Sequence, residues 1–193
     1  MKWSYNKRIS ERMKPNLRTS ETDPLSFSTL QVGQGFIGLT ICPGKKGASI
    51  YGNDWHRDLD SDIRAIANWG ASAVVTIMTD DELKFLGVGN LGLYVAKYGM
   101  EWYQIPVPDT TAPNYETLEQ WNYIRQRIHS RLNREEKIIV HCRGGLGRSG
   151  TLAAKLLMDN GLTCREAIER VRVTRPGAIE TAEQELYLQR GDY

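Results

Sequence analysis

Apolar residues in this chain fall into two recurring patterns: short continuous runs of strand length, and longer stretches in which they return every three or four positions. Phe36-Ile37-Gly38-Leu39-Thr40-Ile41 is the first of the runs and reads as the first strand of a main sheet, closed by a Pro43-Gly44 turn. The stretch on to Trp55 is rich in turn formers. Asp58 to Trp69 then carries Leu59, Ile63, Ile66 and Ala67 at helical spacing, with Gly70 placed as a C-terminal stop. Ser72-Ala73-Val74-Val75-Thr76-Ile77-Met78 is almost uninterrupted, the pattern of a strand buried on both faces. Thr79-Asp80-Asp81-Glu82-Leu83 follows as an N-cap with acidic first-turn residues, and a short helical stretch lies near Leu91 to Tyr98. Glu101-Trp102-Tyr103-Gln104-Ile105-Pro106-Val107 reads as the next strand. Strand, helix, strand, helix, strand predicts an α/β fold built on a mostly parallel sheet with right-handed crossovers.

The second half continues the alternation. After a loop, Pro108-Asp109-Thr110-Thr111-Ala112-Pro113-Asn114, a long helix from about Tyr115 to Asn133 is marked by Leu118, Trp121, Ile124, Ile128 and Leu132. Lys137-Ile138-Ile139-Val140 is a strand, and Thr151 to Met158 a helix ended by Asn160-Gly161. Thr163-Cys164-Arg165-Glu166 has capping-box spacing and opens a helix to about Val173, which offers Ala167, Ile168, Val171 and Val173 to the core. Thr181-Ala182-Glu183-Gln184 repeats that spacing and starts a last helix with Leu186, Tyr187 and Leu188 on its apolar side.

Composition narrows the reading. A chain of 193 residues is long enough for one domain with a sizeable core, taken here as residues 31–193. Residues 1–30 form a polar segment with the basic residues Lys2, Lys7, Arg8, Arg12, Lys14 and Arg18, read as a solvated face ahead of the alternative, an arm that recruits an acidic partner. A formal net charge of only +2 gives no sign of a nucleic-acid binder. No apolar stretch approaches the roughly 20 residues that span a bilayer, and the N-terminus lacks a signal-peptide core. Cys42, Cys142 and Cys164 have neither disulfide-framework nor zinc spacing, and His56 and His129 have no companion ligands. The expectation is a soluble, cytoplasmic protein with no metal, no cofactor and no membrane partner.

The chemistry is concentrated in His141-Cys142-Arg143-Gly144-Gly145-Leu146-Gly147-Arg148-Ser149-Gly150, where a strand ends in a glycine-rich turn that opens a helix. Unpaired amides and the positive end of the helix dipole suit that turn to an anion. Gly144, Gly145 and Gly147 allow the backbone to wrap it. A thiol of reference pKa about 8.5 at the base of such a cradle is poised to ionise. Arg148 offers a planar fork for two phosphate oxygens, and Ser149 a hydrogen bond to the sulfur as it leaves.

This segment resembles the signature of the cysteine-dependent tyrosine and dual-specificity protein phosphatases at every defined position. The stretches Phe36-Ile37-Gly38-Leu39, Pro43-Gly44 and Pro106-Val107-Pro108-Asp109 are also similar to the kinase-associated phosphatase group. The resemblance implies a central, mostly parallel sheet with helices on both sides, and hydrolysis of phosphomonoesters through a cysteinyl phosphate. It implies Cys142 as nucleophile, and Arg143 to Arg148 as the phosphate loop. It makes Asp109 the proton donor by position, with Asp80 and Asp81 as substitutes, and gives His141 a supporting role beside the nucleophile. Where that group has Gly-Gly after the acid, this chain has Thr110-Thr111. The stretch around Glu180 and Gln184 is similar to one in small atypical dual-specificity phosphatases that helps position water; helix capping by Gln184 and solvation of Glu180 is the other reading. A phosphorylated protein is the implied substrate. A phosphoinositide phosphatase ranks below it, because Arg143 is the only basic loop residue besides Arg148. A non-catalytic phospho-binding module ranks below it too, because such proteins lack the Cys, the Arg or the acid.

Overall fold

A computed structural model describes residues 17–49 and 52–191 of the chain. Lys2, Lys7, Arg8, Arg12 and Lys14 lie outside the described residues, whereas Arg18 lies over the Trp55 ring, 3.6 Å from its centroid. The strands are β1 (Ser28–Val32), β2 (Gly35–Thr40), β3 (Lys46–Gly47), β4 (Trp55–His56), β5 (Ala71–Thr76), β6 (Glu101–Gln104) and β7 (Lys137–His141). The helices are α1 (Leu59–Asn68), α2 (Asp80–Phe85), α3 (Leu91–Lys97), α4 (Tyr115–Leu132), α5 (Gly147–Asp159), α6 (Cys164–Thr174) and α7 (Ala182–Arg190).

The main sheet has the order β1-β2-β7-β5-β6, parallel throughout except for β1. β3 and β4 form a separate two-residue ladder. At the centre, Ile138 to His141 of β7 are buried on both faces, so the strand is covered by helices on either side. Helices α4 and α5 pack on β7 and β2, α1 packs on β5 and α3 on β6. Local signals start the helices as the sequence predicts. Asp58 caps α1, and reciprocal capping boxes open α2 at Thr79, α6 at Thr163 and α7 at Thr181.

The sheet departs from its sequence pattern in instructive places. It begins before Phe36, with β1 crossing residue 30; only Leu30 and Val32 of that strand face the core, an alternation too short to stand out among polar neighbours. Gly33, at φ +61°, closes the β1–β2 hairpin. β6 stops at Gln104 because Pro106 and Pro108 have no N–H to extend the ladder, although Ile105 still donates to the Thr76 carbonyl at 2.9 Å. Val173 is 77% exposed: two positions beyond Val171, it points to the far side of α6. Leu186 is also largely exposed, while Tyr187 and Leu188 are buried.

A buried ion pair fixes the region in front of the sheet. Arg57 meets Asp62 with two hydrogen bonds, Nε to Oδ2 at 2.7 Å and Nη2 to Oδ1 at 2.9 Å. Asp62 Oδ2 also accepts the Gly44 N–H at 2.8 Å, and Arg57 Nη1 donates to the Asp23 carbonyl at 2.6 Å. One carboxylate therefore joins α1, the turn after β2 and β4. Asp62→Ala should cost about 3–5 kcal/mol of stability by leaving a buried guanidinium unpaired. Chemical denaturation checks this against Asp60→Ala, which removes an exposed partner of Lys97 and should change little.

Candidate active site

β7 delivers Cys142 to the carboxyl edge of the sheet, and the chain then turns through Arg143 to Leu146 into α5. Cys142 is 2% exposed, with its Sγ 3.5 Å from Ser149 Oγ. Of the loop glycines, Gly145 is the one in the left-handed region, at φ +69°, and a Cβ there would fall 2.2 Å from the Thr40 carbonyl oxygen at the end of β2. Gly147 is confined in another way, since a Cβ would lie 2.7 Å from Glu180 Oε2 and 2.8 Å from Gln184 Nε2. Gly144 has open space around its Cβ position and ordinary φ, so neither backbone strain nor crowding requires it. Outside the loop, Arg175 braces it by donating from Nε to the Gly145 carbonyl at 3.1 Å.

Arg148 crosses beneath the mouth with its side chain buried. Its Nη1 donates to Glu82 Oε2 and to the Val107 carbonyl, both at 2.8 Å. Its Nη2 donates to Glu82 Oε1 at 2.9 Å and to Asp109 Oδ1 at 2.8 Å. The Nε–H is buried with no hydrogen-bond partner among the described residues. Burial works against charge on Glu82, but the bonds from Arg148 and Thr79 outweigh it and hold the carboxyl below the usual glutamate range.

His141 is wholly buried. Its Nδ1 lies 3.4 Å from the Cys142 carbonyl and its Nε2 2.7 Å from Thr76 Oγ1, which also accepts from Trp102 Nε1 at 2.9 Å. A carbonyl only accepts, so this network assigns the single proton of the neutral ring to Nδ1, and Nε2 accepts from Thr76. Burial pushes the His141 pKa down to about 4, against a smaller opposing effect of the Cys142 carbonyl.

Asp109 sits on the loop after β6 with its side chain 44% exposed. Beside its bond to Arg148, its Oδ2 is 3.7 Å from Arg143 Nη1. The loop is tied to the start of α7: Thr181 Oγ1 donates to the Thr110 carbonyl at 3.0 Å, Gln184 Nε2 to the Thr111 carbonyl at 3.1 Å, and the Ala112 N–H to Glu183 Oε1 at 3.1 Å. Thr110 is held at φ +65°, a strained conformation for a β-branched residue. Next to these ties, Glu180 Oε2 accepts the Gly147 N–H at 2.8 Å and Gln184 Oε1 accepts the Glu180 N–H at 2.9 Å.

Residues 53–188 match the family model described as "PTP-SAK: Swiss Army Knife protein, DSP-PTPase phosphatase domain". The chain belongs to the dual-specificity and tyrosine phosphatase family. Cyclin-dependent kinase inhibitor 3 of Rattus norvegicus is 31% identical over 175 residues, covering 87% of this chain and 79% of the relative. The crystal structure of kinase associated phosphatase (KAP), with its catalytic site cysteine replaced by serine, is similar with a TM-score of 0.78 and 27% identity, over 87% of this chain and 94% of that one. Tk-PTP in its active form is 30% identical with a TM-score of 0.63, over 89% and 99% of the two chains. This phosphatase is accordingly a cysteine-dependent phosphoric monoester hydrolase.

In this phosphatase Cys142, Arg148 and Ser149 share one turn, and Asp109 is brought to Arg148 from a position 39 residues earlier. Asp80 and Asp81 are not brought there: Asp80 accepts from Gln104 Nε2 at 2.7 Å and Asp81 pairs with Lys84 at the surface. Sequence reasoning misses Glu82, their neighbour, because its position three residues after Thr79 already accounts for it as a capping residue. Thr76 and Trp102 are missed as well, since a polar residue within an apolar run carries no sign of what it faces.

His141 makes stability pH-dependent with a definite sign. Its folded pKa is depressed, so the unfolded chain binds the extra proton, and stability present above about pH 6.5 is lost as pH falls towards 4. The loss should reach about 3 kcal/mol once the pH is below 4, and His141→Asn should flatten that part of the curve in denaturant melts taken across the pH range.

Proposed function

We propose that Cys142 is the nucleophile of a phosphoprotein phosphatase. Its thiolate attacks phosphorus, an S–P bond forms, and the P–O bond to the substrate breaks with Asp109 giving a proton to the leaving oxygen. Water then attacks the cysteinyl phosphate, Asp109 takes its proton, and the S–P bond breaks to release phosphate and restore the thiolate. Ser149 Oγ, 3.5 Å from the sulfur, is placed to hydrogen-bond the leaving thiolate. The observation that carries the reading is the buried, unpartnered Nε–H of Arg148 on the same turn as the Cys142 sulfur. It is a fixed donor for a phosphate oxygen, and charge developing in transfer is stabilised without reorganisation.

Asp109 contacts the Nη2 of Arg148, so a phosphate that takes that nitrogen as its second donor displaces Asp109 towards the leaving group. Arg143 to Gly147 line the phosphate, and His141 supports Cys142 through its carbonyl. Gln184 and Glu180, packed against Gly147, are assigned to the water of the second step. The relatives named for kinase-associated phosphatase support a phosphorylated protein as substrate. No helix among the described residues is long and apolar enough to cross a membrane.

Cys142→Ser should abolish hydrolysis of a small aryl phosphate, measured as phosphate release; a serine variant with wild-type turnover would remove Cys142 from the nucleophile's role. Asp109→Asn should lower kcat by about 10²-fold or more for substrates with poor leaving groups, and much less for aryl phosphates of acidic phenols. An equal loss on both would remove Asp109 from the acid's role.

A further inference from the structure

Beside the phosphate loop lies positive charge that the hydrolytic chemistry does not use. Lys45 sits half-buried in the turn between β2 and β3, and its Nζ donates to the Arg143 carbonyl at 3.4 Å. Its ammonium is 5.5 Å from the centre of the Trp55 ring. No carboxylate lies within ion-pair distance of it among the described residues, and its charged neighbours include Arg143 and Arg18. Burial and the Arg143 guanidinium both depress the Lys45 pKa, against smaller opposing effects of Cys42 and Cys142. Such an ammonium gains from any anion that reaches it. Arg143 completes the pair at the mouth, with its guanidinium 5.9 Å from the Phe85 ring centre and only a long contact, 3.7 Å, to Asp109.

We propose that Lys45 and Arg143 form a second anion subsite beside the phosphate loop, selecting phosphoprotein substrates that carry another acidic group, a carboxylate or a second phosphate, next to the phosphoresidue. The inference rests on the phosphatase reading and narrows its substrate. Arg148 is committed to the scissile phosphate and Arg175 donates to the Gly144 and Gly145 carbonyls, so a second negative group beside Arg143 finds its counter-charge in Lys45 and Arg143. The surroundings favour a peptide over a lipid headgroup. Helix α2, which carries Phe85, also carries Asp80 and the highly exposed Asp81, so an anionic bilayer would meet these carboxylates. Phe85 itself is 76% exposed beside Arg143 and offers an apolar wall to a neighbouring side chain.

The test compares matched phosphopeptides with Glu or Gln at the flanking positions, using the wild type, Lys45→Met and Lys45→Arg, alongside a small aryl phosphate and a phosphoinositide in phosphatidylcholine vesicles. The wild type should prefer the Glu peptide about five- to tenfold in kcat/KM, through KM, at low salt, with the gap closing as salt rises. Lys45→Met should bring the ratio to about one, and Lys45→Arg should restore it. Equal kcat/KM for the Glu and Gln peptides, with aryl phosphate still hydrolysed, would overturn the subsite and leave the phosphatase reading standing. Absence of turnover on the aryl phosphate would overturn both. Preference for the phosphoinositide over every peptide would replace the protein substrate with a lipid. The wild-type peptide ratio and its salt dependence need no variant, so a poorly folded Lys45→Met would not shield the idea.

Discussion

Keeping a guanidinium charged and buried at the edge of a parallel sheet is the constraint on which this site depends. An unpaired buried charge costs several kcal/mol, and Arg148 avoids that cost chiefly because Glu82 meets it with a two-point fork, with Asp109 and the Val107 carbonyl taking its remaining Nη donors. That requirement reaches well beyond the pair. Glu82 can present both oxygens because Thr79 caps α2 and fixes the first turn, and α2 starts there because β5 ends just before it. The Val107 carbonyl takes part because two prolines hold the chain after β6 out of the ladder. Two separate stretches of sequence thus meet the donors of one side chain, which is held in place before any substrate arrives.

The candidate site is legible where it is local. Cys142 to Ser149 occupy consecutive positions, and the strand, turn and helix that present them each carry their own pattern. The layers were legible for the same reason, since β5 and β7 are continuous apolar runs and α4 keeps its apolar spacing over its whole length. What escaped was set by partners distant in sequence. Glu82 is bonded to Arg148 across 66 positions, yet its local pattern is already explained by capping. Lys45 lies in a stretch marked only by its turn formers, and nothing sets it apart until the fold lays its ammonium against the Arg143 carbonyl. Among the three loop glycines, nothing in the sequence distinguishes Gly145, whose close approach to the Thr40 carbonyl comes from β2.

Two β-branched residues flank the site in a left-handed backbone conformation, Thr110 at φ +65° and Ile179 at φ +60°. Each such position costs on the order of 1–3 kcal/mol and persists only where its surroundings overdetermine it. Thr110 is held by Thr181, and Ile179 by its own N–H bond to the Leu146 carbonyl and by Arg172, which donates to the Ile179 carbonyl. The stable body of the sheet, centred on β7 and its covering helices, supports both conformations at its carboxyl edge.

The ties between the Asp109 loop and α7 have a consequence for motion. Thr181, Glu183 and Gln184 belong to one helical turn, and all three hold the backbone between Thr110 and Ala112. The same Gln184 packs against Gly147 through its amide. Any excursion of Asp109 therefore pulls on the helix end that also presses on Gly147, so the Asp109 loop and the turn after Cys142 share one anchor rather than two.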